Sequence, residues 1–103
     1  MTTAPFNKLT PAEAERLAML IEECGEVIQA ATKILRHGYD SKHPDNEGCG
    51  PDNRDDLFRE IVDLTAVEEL MHLAGDIPPM TRNKADAAIR RKLQYAHHQR
   101  QDQ

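Results

Sequence analysis

Between Leu17 and Leu35 apolar residues recur at spacings of three and four: Leu17, Leu20, Ile21, Cys24, Val27, Ile28, Ala31, Ile34 and Leu35. That period belongs to an α-helix with one broad apolar face, because a strand alternates every second residue. The flanks carry matching signals. Thr10-Pro11-Ala12-Glu13 is a capping box with proline at the first helical position, where its missing N–H costs nothing. Arg36 and His37 suit the negative end of the helix dipole, and Gly38 can take the left-handed conformation that ends a helix. The spacing predicts a first helix over about residues 11–37, with Gly25 a tolerated weak point inside it.

Residues 38–54 are rich in Gly, Pro, Asn and Asp and read as one long loop. Loops beyond about 12–15 residues in a small domain are usually functional or disordered. A second helix is expected from Asn53, with Asp56 in capping-box position, to about Ala74, where Gly75 stops it. Asp76-Ile77-Pro78-Pro79 then turns the chain into a third helix over about 80–98. That helix is thinly apolar (Ala85, Ala88, Ile89, Leu93, Ala96), so it is expected on the outside, with His97-His98 in a frayed tail. No strand pattern, internal repeat or low-complexity segment is visible. The fold class is all-α, with residues 1–103 as a single domain.

Bulk properties exclude several functions. The longest purely apolar run, Leu17 to Ile21, falls far short of a membrane span. Met1-Thr2-Thr3-Ala4-Pro5-Phe6 lacks the basic and apolar regions of a signal peptide. Cys24 and Cys49 make no disulfide framework, and with His37 and His43 they match no structural zinc spacing. A cytoplasmic protein with reduced thiols is expected. The net charge of −5 is unevenly spread. Residues 1–81 hold 16 acids against 7 Lys and Arg, whereas residues 82–103 hold 6 Lys and Arg against Asp86 and Asp102. An acidic body with a basic tail suits a metal in one part and phosphates in the other. The acidic total, the scarcity of aromatics and the lack of a helix-turn-helix pattern argue against a nucleic-acid-binding module.

The acids stand where acids are costly. On a wheel of about 100° per residue, Glu60 falls between Val67 and Met71, and Asp63 between Leu70 and Ala74. Glu23 falls between Ala30 and Ile34, inside the apolar arc of the first helix, and Glu26 lies at its edge beside Met19. Each pair has i,i+3 spacing, one turn apart on a shared face. Packing the apolar faces together would gather Glu23, Glu26, Glu60 and Asp63 in a poorly hydrated place. Each unpaired carboxylate buried there costs several kcal/mol after relaxation, and like charges raise one another's pKa. No Lys or Arg shares the stripe, since Lys33 and Arg59 lie to the side. An all-oxygen donor set fits a hard divalent cation, Mg²⁺ or its substitute Mn²⁺, better than zinc. A single E-x-x-E or E-x-x-D pair would carry little weight; two pairs on two helices carry much more.

These residues also carry a resemblance. Glu22-Glu23-Cys24-Gly25-Glu26 followed by Glu60-Ile61-Val62-Asp63 resembles the paired acidic signature of the MazG-like nucleotide pyrophosphohydrolases, within the all-α NTP pyrophosphatase superfamily. The likeness runs through Lys33, Ile34 to Gly38 and Asn53-Arg54, and more loosely through Asn83-Lys84 and Arg90-Arg91-Lys92. Two features depart from it: the loop between the acidic motifs is longer than in the most compact members, and Val62 stands where glycine is common. The resemblance implies hydrolysis of a nucleoside triphosphate to the monophosphate and pyrophosphate. It implies Mg²⁺ on Glu23, Glu26, Glu60 and Asp63, and a homodimer or tetramer in which helices of two chains complete a four-helix bundle.

On that basis Glu22 joins the four metal acids as a catalytic candidate, to orient or deprotonate the attacking water. Lys33, Asn53, Lys84 and Arg91 are candidates for substrate contacts, although Asn53 is first of all a helix cap. Arg90 is a further phosphate candidate, and Arg36 and His37 could line a nucleoside pocket, although the helix dipole already explains them. The alternative function is a noncatalytic helical regulatory dimer that binds a nucleotide or metal without hydrolysing it.

Overall fold

The computed structural model describes residues 6–44 and 48–99, in which three α-helices follow one another and no named strand occurs. The first, α1 (Pro11–His37), has the expected limits. Glu13 N–H donates to Thr10 Oγ1 at 3.1 Å and Thr10 N–H donates to Glu13 Oε1 at 2.8 Å, closing the capping box. At the other end Gly38, at φ 87°, donates its N–H to the Ile34 carbonyl at 2.7 Å.

The second helix, α2, spans Asn53–Leu73 and starts on a different cap from the one expected. Asp52 is the N-cap: its Oδ1 accepts from Asp55 N–H at 2.9 Å, and Asp55 Oδ2 accepts from Asp52 N–H at 3.1 Å. Asn53 is the first helical residue and is buried, with Nδ2 donating to the Gly38 carbonyl at 3.1 Å. Its side chain ties the start of α2 to the end of α1 and so is not free to cap. Asp56 has no part in the box. Ala74 caps the C-terminus, and Gly75 at φ 87° carries the turn.

The connection between α1 and α2 folds back on itself. Asn53 N–H donates to Ser41 O at 2.9 Å and Arg54 N–H to Tyr39 O at 3.0 Å, and Lys42 forms an isolated antiparallel bridge with Asp52. The Arg54 guanidinium lies 4.9 Å from the Tyr39 ring centroid and pairs with Asp40 at 2.7 Å. Residues 38–42 are thus laid against the start of α2.

α1 and α2 pack along each other as an antiparallel pair, while the backbone of α3 (Arg82–Leu93) approaches neither closely. α3 is shorter than the expected 80–98. Thr81 caps its start by accepting from Lys84 N–H, and the turn leaves helical geometry after Leu93, where only Tyr95 and Ala96 supply further apolar surface. The pair has a thin core: Ala30, Val67 and Met71 are its buried apolar residues among those described. A part-buried ion pair pins the far end, with Arg16 donating from Nε to Asp76 Oδ2 at 2.5 Å and from Nη2 to Oδ1 at 3.0 Å. Outside the hairpin seam Ile21, Ile28 and Leu35 stay largely exposed, seven residues apart along α1. None of the described helices is long and apolar enough to cross a membrane.

Candidate metal centre and its flanking groove

Three of the expected ligands come together. Glu23 from α1 and Glu60 and Asp63 from α2 each bring a carboxylate oxygen to one place, all three within 4.8 Å of one another. Helix geometry explains it: Glu23 shares the hairpin-facing stripe with Ala30 and Ile34, and Glu60 shares its stripe with buried Val67 and Met71. Asp63 reaches in from an exposed edge, because Leu70 on the same arc is 47% exposed. The wheel put Asp63 on apolar surface, and it is; that surface is simply left uncovered in one chain.

Loss of solvation pushes the Glu23 carboxyl above the usual carboxylate range, and the charges of Asp63, Glu22, Glu60 and Glu26 push it the same way, in that order. A carboxyl so placed gains from a cation. Arg59 supplies a little of that charge: although off the stripe, its Nη2 reaches Glu60 Oε1 at 3.4 Å and Asp56 Oδ1 at 3.6 Å. Arg59 is well exposed, and pairs of this kind contribute only about 0–1 kcal/mol. Glu23 and Asp63 have no ion-pair partner among the described residues. Mg²⁺ usually takes one or two carboxylates from a protein and keeps several waters, so three carboxylates from two helices supply enough hard oxygen donors to hold it. The donor set fits the ion.

The other expected residues are arranged around this cluster. Glu26 is exposed and stands outside the triad, but it lines a small cavity of about 160 Å³ together with Glu60, Lys33 and Asp56. Glu22 is exposed on the neighbouring face of α1. Lys33 and Asn53 both line a larger cavity of about 520 Å³ at the end of the hairpin, which shares Lys33 and Asp56 with the small one. The two cavities adjoin at Lys33 and Asp56, between Glu60 and the fold-back of residues 38–42. Lys84 faces a different cavity, of about 410 Å³, between α2 and α3 with the turn that joins them. Arg90 and Arg91 are exposed on α3. Within one chain the third helix does not meet the acids. Cys24 and Cys49 are both free and exposed.

Sequence reasoning missed three contributors. Ser41 and Lys42 enter the groove only because the loop folds back, and Asp56 stands there because Asp52, not Asn53, starts α2. No local signal marks the first two; the Asp52…Asp55 spacing was readable as a second, overlapping capping box. No family model matches this chain, and no curated protein or solved structure does either.

Proposed function

We propose that the chain is a Mg²⁺-dependent nucleotide pyrophosphohydrolase of MazG-like type that cleaves a nucleoside triphosphate to the monophosphate and pyrophosphate. The observation that carries this reading is the carboxylate triad, assembled from two helices at the edge of their shared seam. Three carboxylates this close repel one another, and a bound cation would offset that repulsion. Mg²⁺ held there would neutralise charge on phosphate oxygens and make a water acidic enough to attack phosphorus.

The residues of this chain would divide the work. Glu23, Glu60 and Asp63 hold the ion. Glu26, solvent-open beside Glu60, completes the ligand set or accepts the proton of the attacking water, a task for which Glu22 is the nearby second candidate. Lys33 meets a phosphate oxygen from the groove. Lys84 and Arg91 reach a phosphate only across an interface, which makes assembly part of the proposal. The exposed seam of Ile21, Ile28 and Leu35 is the surface that a second copy would cover to complete a four-helix bundle.

A panel of normal and modified nucleoside triphosphates with Mg²⁺, scored for pyrophosphate against orthophosphate, tests the reading. Release of pyrophosphate from at least one member is expected. Release of orthophosphate alone would place the attack at the wrong phosphorus. Tight binding with no turnover of any nucleotide would leave the noncatalytic regulatory reading in its place.

A further inference from the structure

The cavity of about 520 Å³ at the end of the hairpin gathers positive charge from two elements. Lys33 and Arg36, one turn apart on α1, line it together with Lys42 from the fold-back. Asp56 is the one acid among its described lining residues, and it is already shared with Arg59 at 3.6 Å. Neither Lys33 nor Arg36 has an ion-pair partner among the described residues. The helix dipole accounts for Arg36 in the last turn of α1. It has no hold on Lys42, which lies outside both helices and is placed by the backbone. Asn53 N–H donates to Ser41 O at 2.9 Å, and Lys42 itself bridges to Asp52. The Lys42 ammonium donates to the Gly48 carbonyl at 3.0 Å, which holds the side chain and leaves two donors for a ligand.

Charge decides which part of a nucleotide suits this cavity. A nucleoside triphosphate held at its α-phosphate has a neutral nucleoside on one side. The β- and γ-phosphates, with most of the negative charge, lie on the other. The basic cavity adjoins the acids through Lys33 and Asp56, which line both cavities. We propose that Lys42 and Arg36 extend the phosphate contact of Lys33 and hold the β- and γ-phosphates, the part that departs as pyrophosphate. The inference rests on the hydrolase reading above and deepens it. Arg36 then serves the phosphate tail and not the nucleoside. In the reaction the bond from the α-phosphorus to the bridging oxygen breaks, and its electron pair leaves on that oxygen with the β-phosphate. The oxygen of the attacking water joins the α-phosphorus, and its proton passes to the carboxylate base. Cations fixed around the departing phosphates meet that charge as it develops, with no reorganisation at the moment of reaction. Lys42 is thus both a binding group and a leaving-group stabiliser, and the fold-back of residues 38–42 is what delivers it.

Calorimetric titration of the full chain with inorganic pyrophosphate, without divalent metal and at about 0.15 M salt, tests the site apart from turnover. Saturable binding is expected. Lys42→Ala and Arg36→Ala should each weaken it about tenfold, the loss of one charge-assisted hydrogen bond. Lys42→Arg should keep it, and so should Lys8→Ala, which removes the same charge away from both cavities. Circular dichroism of every variant checks that the helices persist. No pyrophosphate binding by the unmodified chain, binding untouched by Lys42→Ala or by Arg36→Ala, or an equal loss in Lys8→Ala would overturn the proposal. A chain that releases pyrophosphate from nucleotides yet shows none of this dependence refutes the tail site alone. Pyrophosphate binding that depends on Lys42 and Arg36 in a chain without turnover refutes the hydrolase alone.

Discussion

Glu60 sits where the two demands on this hairpin collide, packing beside Val67 and Met71 and carrying a charge next to Glu23 and Asp63. Replacing it with glutamine keeps the shape and removes the charge, so the fold should survive and metal binding should not. Glu60→Gln should lower turnover by more than the roughly 10- to 100-fold that losing an outer partner of a metal site costs. It should also cancel the rise in Tm that Mg²⁺ or Mn²⁺ gives the unmodified chain. Near-normal activity, or an unchanged metal-induced shift, would show that the ion is held elsewhere. At this scale the site was largely legible, because an acid at a position of the apolar period is visible from spacing alone. The start of α2 was not. Pro51-Asp52-Asn53-Arg54-Asp55-Asp56 offers overlapping capping boxes, and the choice is made by Asn53 bonding to Gly38, fifteen residues away in sequence.

At the scale of elements, α1 and α2 are held at one end by the fold-back and at the other by Arg16 and Asp76. The bidentate hydrogen bond from Arg16 holds the Asp76 carboxyl below its ordinary value of 3.8, against a smaller opposing effect of lost solvation. A depressed carboxyl pKa stabilises the fold at pH above the unfolded value, and that contribution is lost as pH falls through the folded one. Asp76→Asn should therefore lower Tm at neutral pH and flatten the acid limb of stability below about pH 4. Thermal melts of both proteins across that range check it; parallel acid limbs would mean that the pair contributes nothing to the fold. Helix limits were readable wherever a cap is local, as at Thr10 and Gly38. For α3 the expected span of about 80–98 is too long, because Thr81 caps its start and the thin apolar pattern past Leu93 does not sustain a helix. The Arg16–Asp76 pair spans sixty residues and leaves no trace in either local sequence.

For the whole molecule, the described protomer has a radius of gyration of 18.2 Å, against about 13 Å for a compact domain of this length. A chain so open leaves apolar residues on an outer seam: Ile21 is 72% exposed, Ile28 66% and Leu35 88%. The period of the sequence told which residues are apolar, but two apolar faces offset by one residue around α1 look like one broad face in a linear reading. Only the hairpin separates the face facing α2 from the face left over. If a second copy covers that face, folding and association are linked, and Tm must rise with protomer concentration. Ile28→Asp would put an unpaired carboxylate in the middle of the contact, at a cost of several kcal/mol per site. That variant should sediment as a monomer, melt lower than the unmodified chain and lose the concentration dependence. If Lys84 and Arg91 reach the acids of a neighbour, as proposed, its nucleotide turnover should fall as well, while the triad within each chain still binds Mn²⁺. An unmodified chain that sediments as a monomer at every concentration, with a constant Tm, would refute both the bundle and the role given to the third helix.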